Sequence, residues 1–316
     1  MLEYVGKIRD IARRLLSENK VDVVIGFRQG TIPMMSEPAV VSRPEDVDEL
    51  YWDYNCGINL TNYLTKRTDR IGVVAKGCDS RNIVTHIVEN QIKREQLYII
   101  GVPCHGMIDR SRILAALDGQ EPTAVVVNDT EIVVTGPGFE RKFNRQEYLQ
   151  NNCATCIHRN PVVYDELVAE KVEEQKLDDR YADVKKIEAM SPDEKWAFFD
   201  KILAPCLRCY ACRNACPLCY CPTCFVDESR PQWLGKSIDP TDVRTFHFLR
   251  AYHCAGRCTD CGACERACPV NIPVRLLTKK LNMDVEDLYG FEPGMVPDVR
   301  PPLDVYRPDD PGGFIK

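Results

Sequence analysis

Apolar residues in the first 120 positions follow two spacings along the chain. In several segments they recur every three to four positions, as on one face of a helix, and in others they form short runs typical of buried strands. The predicted helices cover residues 5–16, 47–64, 82–92 and 110–117, and the predicted strands cover 21–27, 71–75 and 97–102. Strands that alternate with helices predict an α/β domain with a mostly parallel sheet, which we place at residues 1–160.

The pattern changes after the α/β region. Residues 124–128 and 131–135 predict a short hairpin at the sheet edge. A charged segment follows, and we interpret residues 161–204 as a helical connector whose charges form a solvated face. Within it, Ser191 and Glu194 flank Pro192 as in a capping box. Residues 205–282 are predicted to form a mostly helical domain, and the proline-rich tail of 283–316 is predicted to be extended or disordered.

Composition and charge exclude several classes of protein. The chain has 316 residues, 44% of them hydrophobic, which suits two or three folded domains. A net charge of -6 argues against nucleic acid as a partner, because phosphate contacts need clustered Lys and Arg. No apolar run reaches the roughly 20 residues of a membrane span, and the first ten residues do not resemble a signal peptide. We therefore expect a cytoplasmic protein without a transmembrane segment.

Cysteine is the most informative residue type in this chain. There are 17 cysteines, and 12 of them lie between residues 206 and 268. In a chain without an export signal, this usage indicates metal ligation or redox chemistry, because the cytosol keeps structural disulfides reduced.

Two runs of cysteines have the same spacing, C-x2-C-x2-C-x3-C-P. The first run is Cys206, Cys209, Cys212 and Cys216, and the second is Cys258, Cys261, Cys264 and Cys268. This is the ligand pattern of 4Fe-4S ferredoxins, in which the last cysteine of each run binds the other cluster. The predicted ligand sets are therefore Cys206, Cys209, Cys212 and Cys268 for one cluster, and Cys258, Cys261, Cys264 and Cys216 for the other. Such a pair of clusters is an electron relay.

Zinc is the alternative occupant of the two runs. Structural zinc sites, however, use two pairs of ligands rather than three evenly spaced cysteines followed by C-P. The 41 residues between the runs contain a helical apolar pattern at 241–252. This resembles the α-helical ferredoxin modules of respiratory and heterodisulfide-reductase-like subunits rather than the small β-hairpin ferredoxins.

The other cysteines form two further groups. Cys78 and Cys104 each follow a predicted strand, so they would emerge at the same sheet edge, and the pair Cys153 and Cys156 could reach it. These four are a predicted third 4Fe-4S site, with Cys56 as the substitute ligand; the alternative is that Cys78 and Cys104 are core residues. Four more exceed what the two runs need, either as a further metal centre or as buried side chains near a cluster: Cys219, Cys221, Cys224 and Cys254.

Three short motifs carry a family resemblance. GVVAKGCDS (72–80), IIGVPCHGM (99–107) and NCATC (152–156) resemble the beta-subunit family of coenzyme F420-dependent hydrogenases and dehydrogenases. The resemblance covers about half the chain and implies an iron-sulfur flavoprotein domain that binds FAD or a deazaflavin. Its partners would be electron donor and acceptor subunits of formate dehydrogenase, hydrogenase or heterodisulfide-reductase complexes of anaerobes. The chain departs from the family in order, because its cluster motifs follow this domain.

The candidate cofactor contacts lie where a glycine turn opens a helix. Backbone N–H groups at such a turn point at a phosphate, and cations stand beside them. The candidates are Lys76, Gly77, Asp79, Ser80 and Arg81. The alternative is an ordinary glycine turn, and no G-x-G-x-x-G follows the first strand.

Two functions remain open from the sequence. The first is an oxidoreductase subunit, with a flavin or another hydride carrier feeding the clusters. The second is a subunit without an organic cofactor, which only transfers electrons between clusters and binds neighbouring subunits. Whether the chain catalyses a reaction alone is not determined by these patterns.

Overall fold

The computed structural model describes residues 2–310 of the chain. They form two compact units: residues 2–80 with 92–177, and residues 81–91 with 178–310. These units differ from the predicted boundaries at two places. Residues 161–177 pack with the first unit rather than with a connector, and residues 81–91 pack with the second.

The first unit is built on a five-stranded sheet. Its elements in chain order are α1 (Leu2–Ser17), β1 (Val23–Gln29), β2 (Ser36–Val41), β3 (Ile71–Ala75), α2 (Gly77–Val88, which continues into the second unit), β4 (Leu97–Gly101), α3 (Arg110–Ala116), β5 (Ala124–Val127), β6 (Glu131–Gly136), β7 (Phe139–Asn144), α4 (Asn151–Ala154) and β8 (Glu166–Leu167). The strand order is β2-β1-β3-β4-β8, and only β1 and β2 run antiparallel. The predicted α/β domain with a mostly parallel sheet is confirmed.

Hydrophobic periodicity explains the central elements. Ile8, Ile11 and Leu15 lie on one face of α1 and are almost fully buried. All five residues of β3 are buried, as expected of a central parallel strand covered on both faces. None of the helices among the described residues is long and apolar enough to cross a membrane.

The predicted helix at 47–64 is wrong. The segment instead contains a 3-10 helix at Pro44–Glu49, a turn, and a second 3-10 helix at Leu60–Tyr63. The Asp53 carboxylate accepts the backbone N–H of Asn55 at 2.7 Å, and the Asn59 side chain accepts that of Thr61. The Asp53 bond closes a local turn, and the Asn59 bond caps the start of the second 3-10 helix, so the segment does not form one continuous helix.

The predicted hairpin forms, but it does not lie at the edge of the main sheet. β5 and β6 pair antiparallel, and β7, which the sequence did not reveal, completes a separate three-stranded sheet. Ile132 and Val134 of this sheet pack with Ile113 and Leu117 in a small core of their own. The placement follows from these long-range contacts, which local patterning does not encode.

The second unit is helical and has no strand among its described residues. Its helices are α5 (Ala182–Glu188), α6 (Pro192–Leu203), α7 (Ala211–Asn214), α8 (Pro240–His253), α9 (Ala263–Arg266) and α10 (Arg275–Tyr289). The predicted capping box is present, with Ser191 and Glu194 each bonding the other's backbone. Leu203, Val243 and Phe246 form its core with residues around the cysteine runs.

The tail departs in part from its prediction. Because α10 continues to Tyr289, the first residues of the predicted extended segment are helical. Beyond it the chain is irregular apart from a 3-10 turn at Pro302–Asp304. Residues 311–316, also part of that prediction, lie outside the described residues.

Candidate functional site

The two cysteine runs of the second unit repeat one backbone conformation. In each run the residues on either side of the second cysteine have positive φ: Arg208 (49°) and Tyr210 (60°) in the first, Asp260 (55°) and Gly262 (70°) in the second. A short helix, α7 or α9, then begins and carries the third cysteine at its second position. Left-handed conformations at non-glycine residues cost free energy, so their recurrence indicates a shared purpose.

The fourth cysteine of each run lies beside the other run. Burial is the largest cause of the raised pKa of Cys206, and the Cys268 thiolate adds to it. Burial likewise raises the pKa of Cys261 to about 12, with the Cys216 thiolate as the next contribution. Cys216 also acts on Cys258 and Cys264 in the same direction. These neighbours agree with the two predicted ligand sets, called here the first set (Cys206, Cys209, Cys212 and Cys268) and the second set (Cys258, Cys261, Cys264 and Cys216).

The second set surrounds a cavity. An empty volume of about 340 Å³, which includes its open side, is lined by the four thiols together with Cys254, Arg250 and Arg275. The Ala263 N–H bonds to Cys261 and lowers the pKa of that thiol against the effect of burial. Four thiols around one cavity, with a backbone amide that donates to one of them, match the ligand chemistry of a 4Fe-4S cluster. Hydrogen bonds of this kind tune the reduction potential of a cluster.

The first set is packed against the core and receives three hydrogen bonds at sulfur. The Arg208 N–H donates to Cys206 Sγ at 3.4 Å, and the Ile272 N–H donates to Cys268 Sγ at 3.3 Å. His247 Nε2 lies 3.3 Å from Cys206 Sγ. Burial lowers the pKa of His247 to about 4, so the ring is neutral at pH 7, and the tautomer with its proton on Nε2 would donate to a thiolate at Cys206.

Two of the four extra cysteines join Cys216. The sulfurs of Cys216, Cys219 and Cys254 all lie within 4.8 Å of one another, the spacing of ligands around one ion. Hydrogen bonds from Cys216 and Cys254 lower the pKa of Cys219 to about 3. Cys221 is exposed, and Cys224 lies beside Arg213. Cys216 thus belongs both to the second set and to this trio.

The cysteines of the first unit converge in part. Ala75 of β3 pairs with Gly101 of β4, so the chain carries Cys78 and Cys104 out of the same sheet edge. Burial raises the pKa of Cys104 to about 11, with the Cys153 thiolate as the next cause, so these two are neighbours. The N–H groups of Gly106 and Met107 donate to Cys104 and Cys153 respectively, each at 3.4 Å.

Cys156 and Cys56 have separate settings. Cys156 follows α4, and its N–H bonds to the Cys153 carbonyl, which keeps the C-x2-C pair in one turn. Cys56 is buried and receives the Asp53 N–H at its sulfur, 3.3 Å away. Burial and the Asp53 carboxylate raise the pKa of Cys56, so it stays a thiol at neutral pH.

The five candidate cofactor contacts are all engaged within the protein. Lys76 is 1% exposed, and its Nζ binds Asp79 Oδ2 at 2.8 Å and the Ile58 carbonyl at 2.9 Å. A Cβ built on Gly77 would lie 2.2 Å from the His158 carbonyl, so the chain covers this turn. Ser80 Oγ donates to the Gly77 carbonyl and accepts the Val162 N–H.

Arg81, the fifth candidate, belongs to the second unit. Its guanidinium donates to the Pro293 carbonyl at 2.7 Å and to Glu292 at 3.2 Å. Together these contacts give each of the five residues a structural role that needs no cofactor phosphate.

Asp79→Asn is expected to lower the free energy of unfolding by about 3 to 5 kcal/mol. Burial alone would lower the pKa of Lys76, but the Asp79 carboxylate, with Cys78 and Cys104, holds it above its ordinary value. The variant leaves that ammonium buried without its carboxylate. Urea unfolding of anaerobic protein measures the change.

Glu173→Gln is the matched control, because Glu173 and Lys176 form the same acid–lysine pair three residues apart with both side chains at least 80% exposed. It is expected to leave the unfolding curve in place. Equal curves for the two variants would contradict the role given to the buried pair.

Comparisons with known proteins bear on the chain as a whole. No family model matches it. It is 25% identical to the F420-dependent formate dehydrogenase subunit beta of Methanocaldococcus jannaschii, over 95% of this chain and 94% of that one. The chain is a homologue of F420-dependent formate dehydrogenase beta subunits. The resemblance seen in the three motifs is thereby confirmed, and it extends beyond the half of the chain they span.

A second relative and one solved structure are also similar to the chain. The F420-dependent formate dehydrogenase 1 subunit beta of Methanococcus maripaludis is 24% identical, over 95% of this chain and 93% of its own. A chain of the F420-reducing NiFe hydrogenase complex from Methanosarcina barkeri is 14% identical, with a TM-score of 0.39 over 50% of this chain and 59% of that chain. The last likeness is too weak to support an argument.

Two residues of this homologue's second unit were missed from the sequence. His247 and Arg250 both lie on α8 and both contact the cysteine sets. With Cys254 they follow the spacing i, i+3 and i+7, which places all three on one helix face. That spacing was visible beside the apolar pattern and could have identified them.

Proposed function

We propose that the chain is an iron-sulfur electron-transfer subunit of an oxidoreductase complex. The observation that carries this is the repeated loop: two cysteine runs have the same backbone conformation, and the last cysteine of each lies beside the other run. The relatives, which are named as beta subunits of formate dehydrogenases, support the assignment to a multisubunit oxidoreductase.

Each thiol set would hold one 4Fe-4S cluster. When bound by four thiolates, such a cluster accepts and releases one electron at a time. The chain supplies the thiolates, the amide donors of Arg208, Ala263 and Ile272, and the buried side chains of Leu203 and Phe246 that keep water away. Hydrogen bonds to sulfur and burial are two of the means by which a protein sets the potential of such a cluster.

We also propose a third 4Fe-4S cluster in the first unit. Its ligands would be Cys78, Cys104, Cys153 and Cys156, with Cys56 as the substitute. The common sheet edge of Cys78 and Cys104 and the amide donors to Cys104 and Cys153 support it. All four of these cysteines belong to the first unit.

The partner at one end of the relay would be a hydride carrier. The relatives' names mention F420, a deazaflavin, and formate, so the proposed exchange is between such a carrier or a flavin-bearing subunit and the clusters. A second candidate function is a subunit with clusters only. It is favoured by residues 76–81, whose candidate cofactor contacts are all taken up within the protein.

Metal and flavin quantitation on protein purified without oxygen tests the proposal. Two clusters predict about 8 irons per chain, and three predict about 12. Cys104→Ser is expected to lower the higher value to about 8, whereas the exposed Cys221→Ser, its control, is expected to keep it. Zinc in place of iron, or no metal, would contradict the proposal. A flavin band after cluster removal supports the first candidate, and its absence supports the second.

A further inference from the structure

Arg250 is a buried cation without an acidic partner. It lies on α8 and is 4% exposed. One of its nitrogens donates to the Cys212 carbonyl at 3.1 Å, and its Nε is buried with no acceptor. No carboxylate of the described residues forms an ion pair with it. A buried, unpaired ion costs several kcal/mol, so this position calls for a counter-charge.

Other buried arginines of the same unit do have carboxylates. Arg275, at 3% exposure and lining the same cavity, pairs with Asp260 and Glu265, each at about 3 Å. Arg208 lies 3.7 Å from Asp242. Arg275 and Arg208 therefore each have a carboxylate near the guanidinium group, and Arg250 does not.

The Arg250 side chain is surrounded by cysteines. It lines the cavity of the second set beside Cys216, Cys254 and Cys264, while its hydrogen bond reaches Cys212 of the first set. The charge is therefore held between the two proposed ligand sets.

We propose that Arg250 is the counter-cation shared by the two clusters and the residue that raises both of their reduction potentials. The inference rests on the proposed function. A cluster with its four thiolates is an anion, and it becomes more negative when it takes up an electron. A fixed positive charge within low-dielectric surroundings stabilises the reduced form more than the oxidised form. Arg250 is thus a positioning residue for charge, and its single side chain acts on both clusters.

Arg250→Gln tests this by redox titration followed by electron paramagnetic resonance. At a fixed potential the ratio of reduced to oxidised cluster is expected to fall about tenfold for both clusters, which corresponds to about 59 mV for one electron. Arg250→Lys, which keeps the charge, is expected to retain most of the wild-type ratio. Arg244→Gln removes a cation from the same helix, where it pairs with Asp200 away from the cysteines, and is expected to change neither ratio.

If Arg250→Gln loses its iron while Arg250→Lys keeps it, the charge is required for the clusters and the proposal stands. If Arg250→Lys loses iron as well, or if Arg250→Gln titrates like Arg244→Gln, the proposal is overturned. Wild-type protein without iron contradicts the proposed function and this inference together, whereas iron-loaded variants with unshifted potentials contradict this inference alone.

Discussion

Cys216→Ser is expected to abolish or strongly shift the resonance signal of the cluster proposed at Cys258, Cys261 and Cys264, and to leave the signal of the other proposed cluster unchanged. The reason is spatial: the Cys216 thiolate acts on all three of those thiols, although it follows Cys212 by only four residues. Serine is a poorer ligand for iron than a thiolate. Electron paramagnetic resonance of dithionite-reduced protein, with iron counted on the same sample, measures the effect.

Cys268→Ser is the mirror control. It is expected to affect only the cluster of Cys206, Cys209 and Cys212, because Cys268 acts on Cys206 and Cys212. If each serine variant instead altered the cluster of its own run, the crossed assignment would be wrong and each run would bind a cluster alone.

The trio adds a refinement to this experiment. Because Cys219 and Cys254 lie within 4.8 Å of Cys216 at sulfur, either could replace it as a ligand. If Cys219 or Cys254 replaces Cys216, the Cys216→Ser variant keeps the signal of the cluster proposed at the second set. That signal would then be lost when Cys219 and Cys254 are also changed to serine. Loss of iron at the triple variant, but not at Cys216→Ser alone, would identify the trio as a reserve of ligands.

Gly77→Ala is expected to lower the free energy of unfolding by about 3 kcal/mol or more. Its new Cβ would lie 2.2 Å from the His158 carbonyl and 3.1 Å from that of Asn160, so backbone would have to move. The displaced segment follows Cys156 directly in the chain, so iron bound in the first unit should fall as well. Urea unfolding and iron content of anaerobic protein measure the two effects.

Gly6→Ala controls for the change of glycine to alanine. Gly6 lies on an exposed face of α1, and a Cβ there would meet nothing within 4 Å. Alanine favours a helix over glycine, so this variant is expected to gain about 0.5 to 1 kcal/mol. A Gly77→Ala variant as stable as wild type would show that the segment at 158–160 can shift without cost.

The elements predicted correctly share a physical property. In α1, β3 and β4 the apolar spacing matches the period of the element, and burial in the structure follows it. The failure at 47–64 has the opposite origin, because Asp53 and Asn59 direct the backbone into turns that hydrophobic counting does not detect. β2 and β7 were missed since their pairing partners, rather than their own patterns, hold them in place.

The ligand candidates show the same division. Cysteine spacing alone yielded the two runs and their duplication, and it predicts the class of metal group, because three thiols two residues apart suit one loop around one cluster. Cysteine spacing does not reveal that Cys254 and Cys219 meet Cys216. The spacing on α8 puts His247 and Arg250 on one helix face, but it does not reveal that this face meets the sulfurs. Those depend on how α8 packs against the cysteine loops.

The sequence by itself determined the α/β character of the first unit, the two cysteine runs and the resemblance to the F420-dependent beta subunits, since each of these is written in residues close together in the chain. Only the tertiary structure decided which thiols are neighbours, which charged side chains are buried and which of them lack a partner. Burial and pairing depend on segments far apart in sequence, and the free energy of a charge is set by what packs around it.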